Sequence, residues 1–277
     1  MTTPASAAAR WTGSTATAVR PLGSDVHEVD LANGDVVVVK RHGEPAAVRA
    51  EVASLAWLAV PAGPPVPRVR GHDEHRLVVD RVAPGPATPH AAEELGRRLA
   101  GLHAAGAPAF GAPPPGGPAK AFIGGADLPN QPARGWPEWF AEHRVAHYVR
   151  QAVDRHVLTP AEARVVEAVP VAAPDEPPAR LHGDLWHGNV LWAADGRAWL
   201  IDPAAHGGHR ETDLAMLALF GCAHLDRVLA AYHEARPLAD GWRDRVPLHQ
   251  LFPLLVHAVL FGRGYAEQAL AAARALR

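Results

Sequence analysis

The chain contains a single cysteine, Cys222, so no intrachain disulfide can form. That scarcity fits a small buried thiol and a reducing, cytoplasmic setting. It also disfavours a disulfide-linked assembly and leaves a monomer as the expected state. A run of about 18 consecutive apolar residues is missing too, so no membrane-spanning helix is expected. Residues 1–11 lack the apolar stretch of a signal peptide. Charge of one sign is not in excess: a net charge of −2 over 277 residues offers nothing to draw nucleic acid or an anionic membrane. Lysine is nearly absent. Of the 27 Lys and Arg residues, only Lys40 and Lys120 are lysine. A chain that otherwise uses arginine keeps an ammonium at Lys40, where a compact point charge acts differently from a planar guanidinium.

What is present changes pattern along the chain. Val26, Glu28 and Asp30 alternate with His27, Val29 and Leu31, as in a half-exposed strand, and Asn33-Gly34 is a strong hairpin turn. Val36 to Lys40 then returns as a strand. Val48, Val52, Leu55 and Leu58 recur at helical spacing, so residues 46–58 read as an amphipathic helix ended by Pro61 to Pro67. Another strand covers 76–80. This is a small sheet with one helix against it.

The remainder is mainly helical. Thr88 with Pro89 starts a helix carrying Leu95, Leu99 and Leu102. Residues 107–135, rich in Pro and Gly, read as a long irregular loop. Further helices are expected at 136–150, 159–168, 213–220, 225–235, 249–261 and 264–276. Among them lies a short extended piece, Arg180-Leu181, then a polar loop from His182 to Asn189, then strands at 190–192 and 198–201 joined by an Asp195-Gly196 turn. No internal repeat is visible.

That polar loop carries the chemistry. In His182-Gly183-Asp184-Leu185-Trp186-His187-Gly188-Asn189, an Asp precedes an Asn by five positions, the D-x-x-x-x-N spacing of a kinase catalytic loop. Phosphoryl transfer needs a carboxylate beside the attacking hydroxyl, a role open to Asp184. It also needs oxygen ligands for magnesium, and Asn189 and the strand-end Asp202 supply them. A cation must meet the phosphates, and Lys40 at a strand end suits, with Glu51 in the next helix to hold it and Glu44 as the rival partner. Gly23 and Ser24 would have to offer backbone N–H groups to the phosphates, although their loop holds only one glycine.

At this point the chain resembles the fructosamine kinase (ketosamine 3-kinase) family. The likeness rests on His182 to Trp186 with Gly188-Asn189, on Ile201-Asp202-Pro203-Ala204, on Glu211 to Ala215, and on Phe220-Gly221. It extends to Glu51-Val52-Ala53-Ser54-Leu55, Leu95-Gly96, Leu102-His103, Phe122-Ile123-Gly124, Asn130-Gln131-Pro132 and Trp136 through Arg144. The resemblance implies an α+β, bilobal protein-kinase-like fold. Residues 1–82 would form a small antiparallel-sheet lobe with one helix, and 83–277 a larger, mainly helical lobe. It implies ATP with magnesium (Mg2+), and as substrate a sugar-derived ketoamine, free or protein-bound. Asp80, Arg81 and Val82 would then be the hinge against the adenine. Trp186 would face the sugar, or else lie in the core under the loop. His187 stands where the family usually has a small residue; it would narrow the acceptor pocket or point outward. Gly183 replaces the Arg of phosphorylation-switched kinases, which implies a constitutively arranged small-molecule kinase.

Three other readings are available. An aminoglycoside- or choline-type kinase would keep the fold and change the acceptor. A nucleotide-binding scaffold would keep the fold without catalysis. A metal-dependent hydrolase would use His182, Asp184, His187, Asp202, His206 and His209 as ligands, leaving Asn189 and Lys40 unexplained.

Overall fold

The parity of side chains along the first strands sets the layers of the smaller lobe. The structure, a computed structural model, describes residues 3–276. Strands β1 (Ala16–Pro21), β2 (Val26–Leu31), β3 (Val36–Arg41), β4 (Val69–His72) and β5 (Arg76–Asp80) form one antiparallel sheet in the order β1-β2-β3-β5-β4. Gly34, at φ +87°, turns β2 into β3 and sets the register that places Val26 opposite Lys40. Val29, Leu31, Val37, Val39 and Val78 pack on one face. Val38 and Lys40, of opposite parity on β3, face the cleft.

The helix foreseen over 46–58 is α2 (Pro45–Leu58), on the cleft side of the sheet, where Val48 and Leu55 meet Leu77 and Val79. A second helix, α1 (Pro4–Thr12), covers the other face, where the sequence pattern suggested one helix only. Its buried residues are Ala7 and Ala8, too small to raise a hydrophobic periodicity. The signals it does carry are local: Thr3 and Ser6 form a reciprocal capping box, and Gly13 at φ +71° ends the helix. Trp11 lies flat on β4 at Gly71, where an added Cβ would sit 2.4 Å from the indole ring.

In the larger lobe, α3 (Pro89–Ala104) is capped by the Thr88 hydroxyl, which accepts from the Ala91 N–H. It packs against α8 (Leu225–Ala235). Gly96 permits this closeness, since a Cβ there would lie 2.2 Å from the Val228 carbonyl oxygen. Helices α6 (Pro160–Glu167), α7 (Glu211–Leu219), α9 (Trp242–Phe261) and α10 (Arg263–Ala275) complete the core with α4 (Trp136–Phe140) and α5 (His147–Asp154), the last two joined by a π-helical turn at Ala141–Ala146. Helix α9 begins about two turns before the expected 249; Pro247 lies inside it rather than before it.

The segment 107–135 is not irregular throughout. It holds a hairpin, β6 (Lys120–Ile123) and β7 (Ala126–Pro129), whose buried residues Ala121, Ile123, Ala126 and Leu128 alternate with more exposed ones. Each strand is four residues long, and half of the buried set is alanine, so the period of two is faint in the sequence. Two further short pairs frame the cleft: β9 (Val190–Trp192) with β10 (Ala198–Leu200), and β8 (Ala179–Leu181) with β11 (His206–Gly208).

Candidate active site

Asp213 anchors the loop of residues 182–189 from below. Its carboxylate is fully buried and accepts from the backbone N–H groups of His182 (2.8 Å) and Gly183 (3.0 Å), and from the His103 imidazole (3.1 Å). Burial opposes its charge, but the His103 hydrogen bond and the other loop contacts outweigh burial and hold it below the usual carboxylate range. Gly183 turns the chain at φ +82°, where a Cβ would lie 2.1 Å from the Ala204 carbonyl oxygen. An Arg could not occupy that position. The His182 ring accepts from the Asp184 N–H through Nδ1, so Nε2 carries the proton and donates to the Ile201 carbonyl at 2.9 Å.

From this base the loop presents Asp184. Asn189, in a 3₁₀ turn ahead of β9, donates its side-chain amide to the Asp184 carbonyl (2.8 Å) and to Asp184 Oδ2 (3.0 Å). The amide nitrogen is thereby engaged, and the Asn189 side-chain oxygen is left to accept. Burial pushes the Asp184 carboxyl up to about 6, against the pull of Asn189 and with a further push from the Asp213 charge. The β9–β10 hairpin returns the chain, and the Ile201 N–H donates to the Asn189 carbonyl at 3.1 Å. Asp202 follows at φ +52°, a left-handed conformation that few non-glycine residues adopt and that turns its carboxylate into the cleft.

Lys40 meets these groups from β3. Its ammonium donates to Glu51 Oε1 at 2.7 Å and also pairs directly with Asp202. Glu44 is exposed at the start of α2 and takes no part. Burial would raise Glu51, but the Lys40 charge, with His42 beside it, prevails and holds it at about 2. His42 Nε2 lies 3.0 Å from Glu51 Oε2, out of line for a hydrogen bond.

Two cavities adjoin on this cluster. One, of about 330 Å³, runs from Lys40, Glu51 and Asp202 to Asp80, Arg81 and Val82, with Leu22, Val38, Leu191 and Ile201 as apolar walls. At its far end the Val82 N–H has no partner among the described residues, while Asp80 and Arg81 donate theirs to the Arg68 and Val36 carbonyls. The second, of about 350 Å³, holds Asp184, Asn189, Asp202 and Trp186, and reaches Phe122 on β6 and His42 just past β3.

The sequence-predicted residues divide accordingly. Lys40, Glu51, Asp184, Asn189, Asp202 and Trp186 come together, and Asp80, Arg81 and Val82 line the adjoining cavity. Gly23 and Ser24 do not reach it. They are exposed at the β1–β2 turn, and the Gly23 N–H turns back to the Val26 carbonyl. His187 is exposed and lines neither cavity; it packs edge-on to the Trp186 ring. The hydrolase ligand set disperses, and both nitrogens of His182 are already engaged. The one His/Asp/Glu group close enough to hold an ion among the described residues is His209, Glu211 and His249, which shares only His209 with the predicted set. There the His209 Nδ1 accepts the Glu211 N–H, which puts the ring proton on Nε2 and leaves no lone pair for a metal. Sequence reasoning missed the apolar walls. Val38 was legible, since it lies two residues from Lys40 on one strand and must share its face. Phe122 was not, because it comes from the hairpin hidden in the Pro/Gly-rich segment.

Comparison with known proteins agrees with this geometry. The family model described as fructosamine kinase matches residues 27–276. A Thermus thermophilus protein named "Probable ketoamine kinase" is 35% identical over 243 residues, covering 88% of this chain and 87% of that protein. A crystal structure of a candidate fructosamine-3-kinase from Thermobifida fusca superposes with a TM-score of 0.92 at 46% identity, over 100% of this chain and 99% of that one. A second, from Haemophilus somnus, shares the fold with a TM-score of 0.82 at 21% identity, over 98% and 96% of the two chains. The chain belongs to the fructosamine kinase family, with its bilobal, protein-kinase-like α+β fold.

Proposed function

We propose that the protein transfers the γ-phosphoryl group of ATP to a hydroxyl of a sugar-derived ketoamine. The observation that carries this reading is the convergence of Lys40, Glu51, Asp184, Asn189 and Asp202 on one cleft between two cavities. The adenine occupies the apolar cavity and accepts a hydrogen bond from the Val82 N–H. The phosphates run toward Lys40, which Glu51 keeps oriented; the ammonium exchanges its contact with Asp202 for phosphate oxygens. The Asn189 side-chain oxygen and the Asp202 carboxylate form a hard-oxygen donor set suited to magnesium, which when bound there would neutralise phosphate charge.

The acceptor enters the second cavity between Trp186 and Phe122. Asp184 orients its hydroxyl and takes the proton as that oxygen bonds to the γ-phosphorus. The bond from phosphorus to the β–γ bridging oxygen breaks, leaving ADP and a phosphate monoester. The carboxylates lining this cavity are Glu51, Asp184 and Asp202, all engaged in the machinery. It therefore holds no spare acid for a polycationic acceptor such as an aminoglycoside. A screen of ATP-dependent turnover on fructosyl-lysine, ribulosyl-lysine, an aminoglycoside and choline tests the reading. ADP release with the ketoamines is the expected result, and release only with the others would overturn it.

His187 tests the placement of the loop. Because the imidazole points out of the cleft, His187→Ala should leave kcat/KM within about twofold and stability within about 0.5 kcal/mol. Steady-state kinetics and a thermal melt check this, and a tenfold loss of kcat/KM would put the ring in the acceptor path.

A further inference from the structure

Helix α2 carries Glu51, and its far end is tied to the strand that launches the catalytic loop. Arg180 lies in β8, two residues before His182. Its Nη1 donates to the Trp57 carbonyl oxygen at 2.7 Å and its Nε to the Gly106 carbonyl oxygen at 3.2 Å. The guanidinium carbon also sits 4.7 Å from the centre of the Trp57 ring. Among the described residues no carboxylate pairs with it, and partial burial lowers its pKa. A guanidinium kept there without an acid partner needs a structural reason.

The helix end supplies one. The last carbonyls of an α-helix lack partners within the helix, and the negative end of the helix dipole attracts a cation. The last turn of α2 contains no basic residue, so the cation comes from the other lobe. Glu51 lies six residues upstream of Trp57, about 9 Å along the helix axis. Beside Glu51 the helix is gripped again. Ala50 belongs to the buried core of the larger lobe with Ala121 and Phe110, and Gly117 lies close against Ala53. Fixed at these points, α2 has little freedom to swing Glu51 away from Lys40.

We infer that Arg180 is a positioning residue, which clamps the C-terminal end of α2 to β8 so that Glu51 holds Lys40 in the nucleotide cleft. The orientation of Lys40 thus depends on the strand that also sets the catalytic loop. The kinetic part of the inference rests on the nucleotide reading of the cleft; the geometric part does not, and the two are tested separately.

The geometric test uses the scarcity of lysine. With only Lys40 and Lys120 in the chain, acylation by an amine reagent, followed by peptide mass spectrometry, reports Lys40 against an exposed internal reference. Arg180→Ala should speed Lys40 labelling several-fold relative to Lys120, and should add little in a Glu51→Gln background. The kinetic test is a double-mutant cycle on ATP. Arg180→Ala should raise the Kd and KM for ATP about tenfold and leave the acceptor KM unchanged, and its effect should fall below about twofold once Glu51 is Gln. Arg180→Lys should recover only part of the loss, since an ammonium cannot donate to both carbonyls and lie flat on Trp57. If Arg180→Ala does not fold, the cycle is run with Arg180→Lys. Unchanged Lys40 labelling, or an equal effect with and without Glu51, would overturn the inference. If the unmodified protein binds no ATP, the nucleotide reading fails and the labelling result still decides the clamp.

Discussion

Asp184→Asn should lower kcat by about 10²–10⁴-fold while ATP affinity changes little. The Asn189 amide already holds one Asp184 oxygen at 3.0 Å, so the other is the one free to take the acceptor's proton. An amide in its place keeps the shape and removes the base. Rapid-quench or coupled ADP assays measure turnover and calorimetry measures ATP binding; undiminished turnover would remove Asp184 from the mechanism. The same substitution should stabilise the nucleotide-free fold. Burial raises the Asp184 carboxyl from its ordinary 3.8 to about 6, so between these values the folded chain binds more protons than the unfolded one. Stability from this group therefore falls as pH rises from about 4 to about 6 and stays low above that. Asp184→Asn removes the penalty. Its thermal midpoint should exceed that of the unmodified protein at pH 7.5, and the gain should fade as the pH approaches 4. A midpoint difference independent of pH would show that burial does not raise the Asp184 carboxyl.

Asp202→Asn should abolish the magnesium-dependent part of nucleotide affinity and lower turnover by a factor on the order of 10²–10³. Asn is the informative replacement because it tolerates the positive φ of Asp202 better than Ala does, so backbone strain does not confuse the outcome. Asp202 also pairs with Lys40, but its side chain is 48% exposed, and an ion pair that open to water contributes little to the fold. The variant should therefore melt near the unmodified protein while binding ATP equally well with and without magnesium. Titration calorimetry in the two conditions checks this. A variant whose ATP affinity still rises with magnesium would move that ligand role to another residue.

The site was legible to the extent that its parts are local. The five-residue step from Asp184 to Asn189 places both on one loop, and an apolar strand ending in Asp202 directs the next carboxylate into the same space. Lys40 stood out because lysine is so rare in this chain. The choice between Glu51 and Glu44 was open until α2 was placed: Glu44 precedes the helix at its N-cap and Glu51 lies midway along it, and only the packing of α2 on the sheet shows which one meets Lys40. The glycine-poor turn at Gly23-Ser24 offered backbone donors by composition alone. In the fold the Gly23 N–H, with that of Leu22, closes the turn on the Val26 carbonyl instead.

Spacing, strand parity and capping residues are properties of neighbours a few positions apart, and from them came the strands β2, β3, β5, β8, β9 and β10, most of the helices and the three loop and strand-end groups of the cleft. Other features depend on contacts between distant parts of the chain. Lys40 and Asp202 lie 162 positions apart, and Arg180 reaches Trp57 across 123. Helix α1 forms a second cover because Ala7 and Ala8 find Val37 and Val39, and His187 points outward because Trp186 turns inward. Such contacts follow from how whole elements pack to bury apolar surface and satisfy buried polar groups, and no short window of residues contains both partners.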